Sequence, residues 1–307
     1  MRNVARTLLL MVLGFVFVAA PAVAGPDLLV SSRFDILRYD GQTGAFIESF
    51  ASAGVNRPNG TDVGPDGNLY VANATPDNIL RIDGVTGAPL GDFSSPTLNF
   101  PDGLGFGSDG NLYVSSVASD QILRYDALTG TLIDVFASLN DPEGMAFGSD
   151  GHLYVGTDNA VQHYDISTGQ DLGPFVTGAF SGEISITFGP GGDLYLAAWH
   201  DDNVRRFDGA TGTSKGVFAS GGGLDSPAGL TFGPDDNLYV TSFGTDQILR
   251  YNGTNGAFID VFASGGGMTG ATDIMFHTVP EPGTFVLATF GVLGLLACLR
   301  RQSIPYR

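Results

Sequence analysis

Between residues 27 and 277 the apolar residues come in short bursts, each cut off by Asp, Asn, Gly or Pro. Bursts this short and rich in Val, Ile, Leu, Tyr and Phe predict strands joined by tight turns. One burst recurs. Asn68-Leu69-Tyr70-Val71 returns as Asn111-Leu112-Tyr113-Val114, His152-Leu153-Tyr154-Val155, Asp193-Leu194-Tyr195-Leu196 and Asn237-Leu238-Tyr239-Val240, with a degenerate first copy at Asp27-Leu28-Leu29-Val30. The leading leucines are 41, 43, 41, 41 and 44 residues apart.

One copy shows the unit. Gly103–Gly107 predicts a first strand, with Leu104 and Phe106 on one face. Asp109-Gly110 favours the positive backbone angles of a hairpin turn. Asn111–Ser116, Gln121–Asp126 and Leu132–Ala137 follow as three further strands, the last two separated by the turn Asp126…Thr129-Gly130. The same turn begins at Asp40, Asp83, Asp165 and Asp208, where an aspartate side chain bonding its own backbone explains the pattern without a metal. Four strands at this period predict an all-β fold, a six-bladed propeller over residues 25–278. The first copy starts at its second strand, Leu28–Ser31, while Gly270–His277 is an orphan first strand. Pairing the two closes the ring and removes exposed edges.

Both ends of the chain read differently. Arg2 and Arg6, the apolar run Leu8–Ala20 and Ala22-Val23-Ala24 together predict a secretory signal peptide over residues 1–24, the alternative being a retained anchor. At the other end Pro280-Glu281-Pro282 precedes an apolar stretch of 16 residues, Thr284–Leu299, closed by Arg300-Arg301. That length is near the lower limit for a membrane-spanning helix, and the arginines place its end on the cytoplasmic side. The order of these parts resembles the PEP-CTERM sorting tail, here residues 279–307. The resemblance implies an exosortase-type enzyme as a partner, residence at the cell surface or in the extracellular matrix, and an association with secreted polysaccharide. A plain membrane anchor is the alternative.

Composition sharpens this. The 45 glycines and 22 phenylalanines suit turns and a packed β core, and Cys298 is the one cysteine. The body therefore holds no disulfide. Between Gly25 and Pro282 stand all 32 acidic residues against nine basic ones, a balance of −23. Such a field repels phosphate backbones, which excludes nucleic acid as a partner.

The repeats Asp120-Gln121-Ile122-Leu123-Arg124-Tyr125-Asp126 and Asp246-Gln247-Ile248-Leu249-Arg250-Tyr251-Asn252 resemble NHL repeats. More broadly, residues 27–277 are similar to the six-bladed propellers of the gluconolactonase and streptogramin-lyase group. That group implies a channel-mouth site with one divalent metal held by Glu, Asn and Asp. The positions just before the innermost strands here are Asn59, Asp102, Glu143, Ile184, Ala228 and Thr272. Three of them offer oxygen, which suits a hard cation such as calcium. The chain departs from the group in lacking a full ring of ligands and a matched catalytic aspartate. Trp199 and His200, followed by two aspartates, suit sugar stacking or metal binding. His152 and His163 occupy strand positions and read as structural. The expectation is a non-catalytic surface propeller that binds a polysaccharide or protein. The alternative is a metal-dependent lactonase or lyase.

Overall fold

The structure is a computed structural model, and it describes residues 25–93, 97–178, 180, 182 and 184–279. The expected signal peptide, the membrane helix at 284–299 and the sorting residues Pro280, Glu281, Pro282, Arg300 and Arg301 lie outside the described residues. Among these residues no helix is long and apolar enough to cross a membrane.

Six antiparallel four-stranded sheets form the body, which is one compact unit. In the third blade the strands are Pro101–Phe106, Asn111–Ser116, Gln121–Asp126 and Leu132–Ser138, as the repeat predicts. The ring closes as expected. Asp273–His277 pairs antiparallel with Asp27–Ser32, with Ile274 opposite Val30 and His277 opposite Asp27. Asp35–Tyr39 and Phe46–Ala51 complete that first blade, so its innermost strand comes from the far end of the domain.

The second strand of each blade is covered on both faces, which is why it reads as an unbroken apolar burst rather than an alternation. Every residue of Leu69–Asn73 is buried. Its alternate side chains serve different neighbours: Leu69 and Val71 cluster with Leu29, Ile36 and Phe50 of the first blade, while Tyr70 and Ala72 cluster with Leu104, Leu112 and Val114 of the third.

The repeated tyrosine joins the blades. Tyr113 meets Phe136 of its own blade edge-on at 5.0 Å and Phe147 of the next blade at 5.6 Å. The same three-ring contact recurs at Tyr70, Tyr154, Tyr195 and Tyr239. Each edge-on pair adds roughly 0.5–1.5 kcal/mol beyond its buried area. Four of these tyrosine hydroxyls are held by the aspartate of the preceding hairpin, as in Tyr113 to Asp109 at 2.9 Å. One inter-blade device, used five times with two phenylalanines each, thus accounts for ten of the 22 phenylalanines.

Candidate binding site at the channel mouth

The innermost strands of the six blades surround a channel, and the residues entering them face its mouth. A cavity of about 120 Å³ there is lined by Asn59, Asp102, Ala228 and Thr272 among others, so four of the six aligned positions meet as the repeat register implies. The side chain of Ile184 lies outside the described residues. Glu143 is buried but does not line this cavity. Its carboxylate lies instead with those of Asp141 and Asp158, all within 4.8 Å of one another. The difference has a local cause. The innermost strands of the second and third blades start one residue before Asn59 and Asp102, at Pro58 and Pro101, whereas that of the fourth starts only at Met145. Glu143 therefore sits in the connection before its strand, beside the turn carrying Asp158. Burial, and then repulsion from Asp158 and Asp120, push the Asp141 carboxyl above its usual range.

The channel also holds a carboxylate outside the six aligned positions. Asp273 lines it and accepts hydrogen bonds from the amide and hydroxyl of Thr61, both at 2.7 Å. Desolvation in the channel wall pushes its carboxyl up to about 6, against the pull of those hydrogen bonds. Asp62, whose charge repels that of Asp273, is also raised by burial.

A second cavity, of about 540 Å³, opens beside the first and shares Asn59 and Thr272 with it. Its volume is in the range of small-ligand sites. Trp199 and Phe243 form an aromatic wall, with ring centroids 4.6 Å apart and planes tilted by 53°. Both rings start short 3₁₀ turns that link the second and third strands of neighbouring blades, Trp199–Asp201 and Phe243–Thr245. Each turn ends on an aspartate in the left-handed region, Asp202 at φ 48° and Asp246 at φ 55°. A short polar side chain tolerates that conformation better than most. Asp246 faces the cavity and accepts the Gly270 amide at 2.6 Å. His200 is exposed and does not line the cavity.

Two arginines complete the lining, Arg33 and Arg57. The amide of Arg57 donates to the carbonyl of Arg33 at 2.8 Å, and the Arg33 amide to that of Thr269 at 3.1 Å. One backbone chain thus fixes three loops around the cavity. Neither these arginines nor Phe243 stood out in the sequence. Phe243 occupies the place of Trp199 in the next repeat, so alignment could have found it. The other three histidines have structural partners: His152 contacts Asp150 at 3.0 Å, His163 bonds the Gly173 carbonyl at 2.8 Å, and His277 that of Gly84 at 3.2 Å.

Solved structures show the same fold. The propeller is similar to a chain of a nidogen/laminin complex, with TM-score 0.70 and 19% identity over 84% of this chain and 100% of that one. It is similar to a protein of unknown function from Bacteroides caccae, with TM-score 0.65 and 15% identity over 82% and 99% of the two chains. It also resembles a catalytically inactive virginiamycin B lyase from Staphylococcus aureus, solved with quinupristin, with TM-score 0.53 and 20% identity over 73% and 71%. At these identities the likeness is one of fold. No curated protein matches the chain. Residues 278–302 match the PEP-CTERM protein-sorting motif, which exosortase recognises. The chain is an exported six-bladed β-propeller, of the cell surface or beyond it, that carries a PEP-CTERM sorting motif.

Proposed function

We propose that this protein is a non-catalytic binding propeller, sorted to the cell surface, that holds an extracellular polysaccharide or protein at its channel mouth. The observation that carries this reading is the 540 Å³ cavity, where an aromatic pair stands beside hydrogen-bonding and charged groups. Such a wall offers contact area at low entropic cost, and the polar groups fix orientation. Trp199 is the only tryptophan in the chain, so its emission reports on this wall alone. The exported protein is titrated with polysaccharide from the surface of its own cells. A saturable change in Trp199 emission that is lost in Phe243→Ala supports the reading. Unchanged emission with this polysaccharide and with the surface proteins of the same cells, or depolymerisation of the polysaccharide during the titration, sinks it.

A second reading, a metal-dependent lactonase or lyase, draws on the Asp273 carboxyl, which sits near neutrality in a channel that also presents Asn59 and Asp102. Oxygen groups of this kind favour calcium over zinc. Glu143 lies outside that cavity and offers its carboxylate as a second candidate ligand with those of Asp141 and Asp158. Calcium calorimetry on the parent, on Asp102→Asn and on Glu143→Gln decides it, and the absence of calcium heat in the parent removes it.

A further inference from the structure

Nine basic side chains stand on a body with more than three times as many acids. Seven of them are spent on carboxylates. Arg38, Arg81, Arg124, Arg205, Arg206, Lys215 and Arg250 each have a carboxylate oxygen within 4.0 Å. Among the described residues the two basic side chains without one are Arg33 and Arg57, and both line the same cavity. In so acidic a protein, two guanidiniums left without carboxylates at one place are not explained by charge balance within the fold.

Both are also positioned. The guanidinium of Arg33 lies over the ring of Phe34, and that of Arg57 over Phe100, each at 5.4 Å from the ring centroid. A cation held over a ring face at this distance is attracted to it, and its N–H donors stay available to an anion. The backbone hydrogen bond between the two residues keeps their loops together, and Arg57 has the left-handed conformation, φ 52°, that Phe100, Asp141 and Ser226 share at the same place in their blades. A guanidinium edge binds a carboxylate through two parallel hydrogen bonds.

The rest of the lining narrows the ligand. Trp199 and Phe243 offer an apolar wall, Asn59 and Thr272 offer oxygen acceptors, and Asp246 adds one carboxylate against two guanidiniums. An anionic sugar unit has three matching faces: an apolar C–H face, a rim of hydroxyls that donate to the acceptors and to Asp246, and a carboxylate. A phosphate ion would use the arginines and leave the aromatic wall bare. An acidic peptide would leave the wall unused unless it also carried an aromatic residue.

We propose that this cavity binds a carboxylated saccharide, with Arg33 and Arg57 holding its carboxylate and Trp199 and Phe243 receiving its sugar face. The proposal rests on the binding reading above and assigns it a ligand class. The test uses trigalacturonate, its methyl ester and poly-glutamate on the exported protein, read by Trp199 emission and by calorimetry. Trigalacturonate should bind about tenfold more tightly than the ester, as loss of one charged bidentate pair implies. Arg33→Gln and Arg57→Gln should each remove about that factor, while Arg124→Gln, whose arginine is paired with Asp134, should leave binding unchanged. Equal binding of acid and ester, with no effect of either arginine, overturns the proposal and leaves a propeller that binds neutral sugars. Poly-glutamate binding as tightly as trigalacturonate also overturns it, in favour of an acidic protein partner. No binding of any probe overturns it too, and the titration with native polysaccharide then decides the broader reading separately.

Discussion

Gly130, in the turn of the third blade, sits against the carbonyl oxygen of Phe93 on the outer edge of the second, so closely that no Cβ fits between them. The same relationship joins Gly44 to Phe262, Gly87 to Phe50, Gly212 to Phe175 and Gly256 to Phe218. Each of these glycines also has a positive φ, 69° at Gly130. Gly169 is the exception. It has the same conformation at φ 73°, yet nothing stands within 4 Å of where its Cβ would be. The two sites separate strain from collision. Gly169→Ala should cost about 1–2 kcal/mol, the left-handed penalty alone. Gly130→Ala adds a backbone clash and should cost at least about 2 kcal/mol more. Urea unfolding of both variants checks this, and equal losses would refute the inter-blade contact.

The Thr-Gly turn was legible in the sequence as turn chemistry, because its aspartate and glycine recur at a fixed period. Its second role was not, since the partner is a main-chain oxygen in another blade. The six blades and the closing strand were legible for the same reason as the turn: each repeat states its own strands. The cavity was only half legible. Trp199 draws notice as a rare residue, whereas Arg33 and Arg57 occupy different places in their repeats and meet only because adjacent blades share a rim. Glu143 aligned with Asn59 and Asp102 in sequence, but its strand starts later, so equal register did not give equal direction.

Arg38 shows how position changes the worth of an ion pair. Its guanidinium contacts Asp27 at 2.6 Å and Glu48 at 2.9 Å, and the side chains of Arg38 and Asp27 are 9% and 10% exposed. Arg124 holds the same repeat position against Asp134, which is 43% exposed. Arg38→Ala leaves Asp27 buried without its guanidinium and should cost about 3 kcal/mol. Arg124→Ala should cost below about 1 kcal/mol in its ion pair, since solvent screens it. Guanidinium unfolding of the two variants gives the contrast, and a reversed order would refute the argument.

Ring closure depends on Asp273–His277, a strand far from its partner in sequence. Ile274 is 3% exposed and packs with Leu28, Val30 and Tyr239, so it bridges the first and sixth blades. Ile274→Asp puts a carboxylate into that cluster. The expected result is loss of a single cooperative unfolding transition, with binding of a hydrophobic dye at low denaturant. A variant that keeps the parental midpoint and slope would mean that the ring is held without this strand.

Stability should be greatest near pH 4, because two sets of carboxylates pull in opposite directions. The turn aspartates lie below their usual value of 3.8: Asp40 and Asp126 through the hydroxyls and then the amides of Thr43 and Thr129, Asp208 to about 2 through Lys215 first. Their folded-state pKa is depressed, so what they contribute is present above the unfolded value and is lost as pH falls through the folded one. Asp273 is the reverse case. Burial raises it to about 6, so the folded state favours its proton, and the stability this gives is complete below 3.8 and is lost as pH rises from there through 6. Asp62, raised by burial, acts in the same direction. A shift of about two pK units corresponds to at most roughly 3 kcal/mol, spent between pH 4 and pH 6 and constant above. Asp273→Asn keeps an oxygen acceptor for Thr61 and cannot ionise. Its urea midpoint should match the parent's near pH 3.5 and exceed it at pH 8, with the parent's decline between pH 4 and pH 6 reduced in the variant. The repulsion among the remaining acids changes with pH in both proteins alike, so the difference between the two curves isolates Asp273. Parallel curves across that window would show that the carboxyl is solvated in the channel.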